Sequence, residues 1–515
     1  MLSKKQDINV TQPYTTTLSD TTTLVRDSFG RVTRVTYPSG TVVDVAYSGD
    51  QVSSINVNGA NLLGSISYLP FSATASGWRW GNGSNYSRSF DLDGRVTSVS
   101  LGSVQRSYQY DAAGQIAALT DTSAQGTQTS TIDYDEAGQL KQYNGPQGSQ
   151  QFSYDANGNR KSETINGVGK TYSYAAGTNR SLGTASQPNY YNLDGTPWKY
   201  RGINIGYGLF GNLTNISISS DISNNYTATD AAYKYDAFNL RVLKTVNVRP
   251  YGQPDNYVSD SFFYDDSGKL LSEARLANTG RVFQDYIWFG GAVVGVVSNG
   301  QLHAVNSDNL TTPRSVVNLS SGQAVWRWES DPFGATVPTG QSISFNLRFP
   351  GQYYDSETGL YYNVTRYYDS LTGRYIQPDT IGLAGGHARY TYVYANPLLA
   401  IDPNGQAGIG DLFMVLGILY GGWQIYDFFS TSAQALNDAA LAHGALVLQQ
   451  QQYGLLTSGP PHATQSLTSP QQSQQSIVQA ATGVLGALPP GTSLTFSPAA
   501  KLGTTTPALM CPIKP

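Results

Sequence analysis

FDLDGRVTSVSLGSVQRSYQYDAAGQI, residues 90–116, holds two copies of one short unit: an aromatic, Asp, two variable residues, Gly, a polar residue and an apolar one. Each copy reads as a hairpin turn. The Asp side chain accepts a hydrogen bond from a backbone N–H two residues on, and the Gly takes a positive φ without a Cβ penalty. The flanks agree with that reading. In RVTSVSL and SYQYD, large apolar or aromatic residues alternate with small polar ones, the period-2 pattern of half-buried strands.

The unit recurs as YDEAGQL at 134–140, YDANGNR at 154–160 and YDDSGKL at 264–270. Weaker copies are RDSFGRV at 26–32, YNLDGTP at 191–197, YGLFGNL at 207–213 and YDAFNLRV at 235–242. In the clear early copies Asp91, Asp111, Asp135 and Asp155 return about every 20 residues. A strand pair of that size cannot bury its own face, so the pairs must stack into one sheet. The expected fold is all-β: a spiralled antiparallel sheet coiled around an interior as a full or partial cocoon. Composition agrees, with 36 Tyr and 54 Gly in 515 residues and only 13% charged residues.

A net charge of −4, with acids and bases spread along the chain, supplies no cationic field for a phosphate backbone, so the main body is not expected to bind nucleic acid. A single cysteine, Cys511, leaves no intrachain disulfide framework. His303, His387, His443 and His462 do not cluster at metal-ligand spacing, so neither a metal nor a cofactor is expected. The N-terminal MLSKKQDINVTQPYTTT has no apolar segment after its lysines and is not read as a Sec-type signal.

From about residue 286 the chain resembles the bacterial RHS/YD-repeat family. The motifs are YIWFGGAVVGVV at 286–297, SDNLTTPRSVVNLSSGQAVWRWESDPFG at 307–334, FPGQYYDSETGLYYNVTRYYDSLTGRYIQPDTIGLAGG at 349–386 and YTYVYANPLLAIDPNGQ at 390–406. The last two resemble the RHS repeat-associated core domain. The organisation read from this is a lead-in at 1–20, a repeat shell at 21–328, a plug-like core at 329–406 and a variable segment at 407–515. The resemblance implies a hollow shell plugged by the core, with the C-terminal segment enclosed as toxic cargo. It also implies an intramolecular aspartyl protease that separates the two, of the kind found in secreted polymorphic toxins used between competing bacteria. Export by a non-Sec route from the cytoplasm to the surface or beyond is expected, with a secretion-system component and an immunity protein as partners.

Two carboxylates match the family's protease pair, Asp379 in QPDTIGL and Asp402 in the element running from Pro397 through Pro403 to Gly405. Hydrolysis without metal or nucleophile needs one carboxylate to deprotonate a water and a second, protonated, to polarise the carbonyl; two carboxyls held close divide that work because they cannot both ionise. The pair titrates as a unit, and neither role is assigned from sequence. The resemblance puts the scissile bond between Gln406 and Ala407. Two positions depart from the family pattern: Thr380 stands where Pro commonly follows the first Asp, and Gln406 where Leu commonly precedes the cut. Arg366, Tyr367, Tyr368 and Asp369 read as strand and hairpin residues of the plug. Gly382, Gly385 and Gly386 read as a bend that does not follow the phosphate-loop pattern.

After Gln406 composition changes abruptly, and only Asp411, Asp427, Asp438, Lys501 and Lys514 carry charge. Leu412 to Tyr426, LFMVLGILYGGWQIY, reads as a helix apolar all round, either buried or touching a membrane as part of the cargo. Helix is expected over roughly 409–450, followed by a low-complexity, weakly ordered tail rich in Gln, Pro and Ser. Two further functional readings stand beside the self-cleaving shell: a non-enzymatic surface or wall-associated protein that binds carbohydrate through Tyr and Trp faces, and a soluble fragment of a larger shell.

Overall fold

A computed structural model describes residues 2–12, 15–220, 227–250, 253–277 and 280–406. The expectations for 407–515, including Ala407 and the helix at 412–426, lie outside the described residues.

Among the described residues the protein is built from antiparallel strands and two short 3-10 turns. Strands Leu2–Val10 through Val168–Thr171 form a 16-stranded sheet, Tyr190–Tyr191 through Ala324–Arg327 a 13-stranded sheet, and Tyr353–Asp355 through Arg374–Tyr375 a four-stranded sheet. Within each sheet every strand pairs with its sequence neighbour, the meander expected of stacked hairpins.

The repeat explains the meander at atomic level. Asp111 closes its own turn: its Oδ1 accepts from the N–H groups of Ala113 and Gln115, each at 2.8 Å, while Gly114 sits at φ 78° and donates to the Asp111 carbonyl. With Asp111 N–H bonded to Gln115 O, this is a three-residue hairpin loop ending in a left-handed Gly. Asp91, Asp135, Asp155, Asp236 and Asp265 make the same pair of contacts.

The tyrosine before Asp111, Asp135, Asp155, Asp236 and Asp265 does something that alternation alone does not suggest: it bonds to the preceding repeat, which Phe90 before Asp91 has no hydroxyl to do. The hydroxyls of Tyr110, Tyr134, Tyr154 and Tyr174 donate to the carbonyls of Val96, Ile116, Leu140 and Arg160, at 2.7 to 3.0 Å. Tyr235 and Tyr264 reach Leu213 and Arg241 in the same way, and the indole of Trp288 reaches Leu270. Each acceptor lies at the start of the strand that leaves the previous turn. A pairing irregularity at the aromatic, as between Gln109 and Tyr110, turns the ring toward that carbonyl.

The ribbon expected to be continuous is interrupted between Thr171 and Tyr190, where isolated bridges Tyr174↔Ser181 and Gly183↔Pro188 replace ladders. Here YAAGTNR carries Ala175 in the Asp position, so no carboxylate tightens the turn, and its closing bond runs from Ala175 N–H to Arg180 O, one residue longer than in the Asp copies. The lead-in expected at 1–20 is not separate from the shell. Its boundary falls inside strand Thr16–Arg26, because Ile8, Val10 and Leu18 bury against Val242, Leu243 and Phe263 of the second sheet.

Most strand aromatics point inward. Trp78, Trp80 and Tyr86 pack with Val99 and Ile287 where the two large sheets meet, and Tyr353, Tyr361, Tyr368 and Tyr375 pack the four-stranded sheet against the second large sheet. These rings are core rather than an open sugar-stacking face, although Tyr190 and Trp198 form a partly exposed stacked pair 4.9 Å apart.

If the hydroxyl ladder joins repeats, Tyr134→Phe keeps the ring and loses one part-buried hydrogen bond, which should cost about 1 kcal/mol. Urea unfolding of the two proteins measures this, and an unchanged midpoint would remove the ladder from the account of stability.

Candidate functional site

The four-stranded sheet carries its polar residues on buried strands. Leu360–Asn363 and Arg366–Asp369 are buried at every position, so each polar side chain on them needs an internal partner. Arg366 finds two. Its Nη2 lies 2.9 Å from Asp379 Oδ2 and 3.0 Å from Asp402 Oδ2, which places these two carboxylate oxygens at most about 5.9 Å apart, the sum of those contacts. The three residues are 1%, 2% and 0% exposed.

Further contacts fix the pair. The Tyr375 hydroxyl donates to Asp402 Oδ2 at 2.6 Å, and the Arg366 guanidinium stacks 3.7 Å from the Tyr375 ring centroid. Burial, with the Asp402 charge second, pushes the Tyr375 hydroxyl well above its ordinary value, so it remains a donor. Asn363 Nδ2 bonds both the Tyr375 hydroxyl and the Asp402 carbonyl. Asp379 Oδ1 accepts from Ile381 N–H at 3.0 Å, and its backbone is clamped to Arg389, N–H to carbonyl and carbonyl to guanidinium.

The chain just beyond Asp402 is tied to the same cluster. Arg366 Nε donates to the Gly405 carbonyl, Thr365 Oγ1 donates to the Asn404 and Gly405 carbonyls, and Gln406 N–H donates to Asp402 Oδ1 at 2.9 Å. Gly405 is required twice over: its φ is 72°, and a Cβ there would meet the Asn363 carbonyl at 2.3 Å. Pro403 is packed as tightly, since a Cβ on Gly351 would fall 1.9 Å from the Pro403 carbonyl.

Asp379 titrates above the ordinary carboxylate range. Burial is the main cause, Arg366 opposes it, and the Asp402 charge adds a smaller push upward. The expected cause, mutual repulsion of two close carboxylates, is therefore a minor one here, because a cation sits between them.

Asp379, Asp402, Arg366, Pro403, Gly405 and Gln406 thus meet at one place. Tyr367, Tyr368 and Asp369 point elsewhere. Tyr367 faces Tyr235, Tyr368 donates to the Phe333 carbonyl, and Asp369 accepts from Arg201 and Tyr200 of the second large sheet. Pro397 is buried on the approach to Asp402, beside Asn396, which bonds the Gly138 carbonyl of the first large sheet. Gly382 and Gly385 bound a short 3-10 turn after Asp379, and Gly386 follows it at φ 105°.

The sequence reading gave Arg366 a strand role and did not single out Tyr375, Asn363 or Thr365. A signal existed for the arginine: a lone cation in VTRYYD, between strands of buried aromatics, requires an anion. Among the described residues, no group of three or more His, Cys, Asp or Glu is arranged to hold a metal ion, and no helix is long and apolar enough to cross a membrane.

With this geometry in view, the Teneurin YD-shell family matches residues 124–392. Toxin protein Tse5 of Pseudomonas aeruginosa is 26% identical over 58% of this chain and 27% of its own length. Double-stranded DNA deaminase toxin A of Burkholderia cenocepacia is 25% identical over 62% of this chain and 24% of its own length. Among solved structures, the Photorhabdus luminescens Tc holotoxin pore with a mutated TccC3 superposes with a TM-score of 0.66 at 17% identity, over 79% of this chain and 23% of that one. TcdB2-TccC3 without its hypervariable C-terminal region gives 0.65 at 18% identity, over 78% and 23%. The chain spans about a quarter of the length of these relatives.

Removing the shared cation strands two buried carboxylates, so Arg366→Met should cost about 3–5 kcal/mol near neutral pH. Carboxylates without that cation titrate higher in the fold than in the unfolded chain, so the deficit should shrink as pH falls through those raised values and the acids protonate. Melting temperatures of wild type and variant across pH check this, and a pH-independent difference would contradict it.

Proposed function

The chain belongs to the Teneurin YD-shell family, and on that premise we propose that it is a shell protein that encloses its own C-terminal segment and releases it by intramolecular aspartyl proteolysis after Gln406. It is a shell protein of the RHS kind found in polymorphic toxins, by family, by relatives and by fold. In the proposed organisation the repeat sheets are the shell, 329–406 is the plug that cuts, and 407–515 is the cargo. Tse5 is called a toxin, and other relatives are called a DNA deaminase toxin, a tRNA nuclease and probable deoxyribonucleases. Unrelated chemistries beside one shared shell sequence favour a common carrier with interchangeable cargo. The composition break after Gln406 fits that division.

The observation that carries the cleavage reading is the strapped junction: Gln406 N–H on Asp402, and the Gly405 and Asn404 carbonyls on Arg366 and Thr365. A bond held this way needs no affinity for a diffusing substrate, since the fold supplies orientation. Asp379, whose pKa is raised, is the protonated partner that polarises the Gln406 carbonyl; Asp402, accepting from Arg366, Tyr375 and Gln406, is the carboxylate that takes a proton from water. The water oxygen bonds to the carbonyl carbon as Asp379 protonates the carbonyl oxygen. The C–N bond then breaks, the proton held by Asp402 passes to the leaving nitrogen of Ala407, and the new carboxyl returns a proton to Asp379. Each molecule turns over once.

Arg366 supports a second reading, since a cation shared by two carboxylates is also what a purely structural clamp would use. Denaturing gels separate the two. Self-cleavage predicts fragments 1–406 and 407–515 from wild type and one intact band from Asp379→Asn and from Asp402→Asn. An intact wild type leaves the shell and removes the protease.

The rate should also depend on pH in one direction. A carboxyl with a raised pKa gains its proton as pH falls, so cleavage of a freshly translated chain should accelerate as the pH is lowered from the alkaline side. A rate that only rises with pH would contradict the assigned roles.

A further inference from the structure

Two residues beside the carboxylate pair touch each other. Thr380 Oγ1 accepts from Gln406 Nε2 at 3.1 Å. Thr380 directly follows Asp379, and Gln406 N–H is bonded to Asp402, so the residue before the proposed cut is tied by its backbone to one carboxylate and by its side chain to the neighbour of the other.

We propose that Thr380 and Gln406 are a positioning pair, an amide-to-hydroxyl contact that fixes the register of the chain so that the carbonyl of Gln406, and not that of an adjacent residue, is presented to Asp379 and Asp402; this rests on the cleavage reading above.

The chemistry of the two side chains supports it. Leu at 406 would offer no donor and Pro at 380 no hydroxyl, so the contact needs both side chains present. It completes the straps along 404–406. Thr365 and Arg366 hold the Asn404 and Gly405 carbonyls, Asp402 holds the Gln406 N–H, and Thr380 fixes the Gln406 side chain. Thr380 is exposed and Gln406 half-buried. A neutral hydrogen bond in that setting adds little to global stability because water competes for both groups. Its effect should therefore appear in orientation and not in melting.

The test uses the full chain from cell-free translation, with cleavage followed over time and fragment masses measured. Thr380→Val and Gln406→Leu should each slow cleavage about three- to tenfold, the worth of one neutral hydrogen bond, or spread the cut over neighbouring bonds. Thr380→Ser keeps the hydroxyl and should retain the wild-type rate and a single mass. The double variant should be no slower than either single one, because both changes remove the same contact. Melting temperatures should be unchanged throughout. Wild-type rate and mass in Thr380→Val and Gln406→Leu, with Asp379→Asn inactive, would overturn the pair while leaving the protease. An intact wild type would overturn both.

Discussion

The hydrogen bond that most repeats' tyrosines make to a carbonyl of the repeat before is the contact on which the rest of the structure depends. Asp shapes a turn locally, but a turn alone says nothing about where the next hairpin lies. When the Tyr134 hydroxyl lands on the Ile116 carbonyl, and Tyr154 on Leu140, successive hairpins are locked at one offset. A tyrosine hydroxyl partly shielded from water favours a partner, and for these rings that carbonyl supplies it. The sheet therefore propagates in sequence order, and it weakens to isolated bridges after Tyr174, where the Asp of the unit is missing.

The four-stranded sheet is seated on this framework by charges buried between them. Arg241 of the second sheet pairs with Asp355, Lys244 reaches Asp355 and Glu357, and Arg201 reaches Asp369. Such pairs add little net stability, because desolvation offsets their attraction, yet any other seating would strand a buried ion. They fix strand Arg366–Asp369 between two obligations: Asp369 faces the large sheet, while Arg366 at the other end faces Asp379 and Asp402. The junction at 404–406 is held by the same arginine, so the seating of the small sheet also sets the geometry of the candidate site.

Much of this was legible in the chain of letters. The turn chemistry of Asp-x-x-Gly is local, involving residues no more than four apart, so its recurrence pointed to hairpins and an all-β meander without any distant contact. The two aspartates were reachable only through resemblance, since Asp379 and Asp402 taken alone are ordinary turn formers. Arg366 was visible as a buried-strand cation but its partner was not, because Asp379 and Asp402 lie well beyond the hairpin that carries it. A raised carboxyl somewhere in the pair was expected from mutual repulsion, whereas burial is the main cause at Asp379, since the inserted guanidinium and the depth of burial appear only in three dimensions.

What the sequence determined by itself was everything that depends on short-range rules: the turns, the strand alternation, the break in composition after Gln406 and the absence of a disulfide framework. Only the tertiary structure decided which tyrosine meets which carbonyl, that one arginine stands between two acids, and that Thr380 and Gln406 touch. Those contacts join residues 13 to 36 positions apart. Their partners are chosen by how the sheets stack and by the cost of burying a polar group alone, and neither is written in any local stretch of the chain.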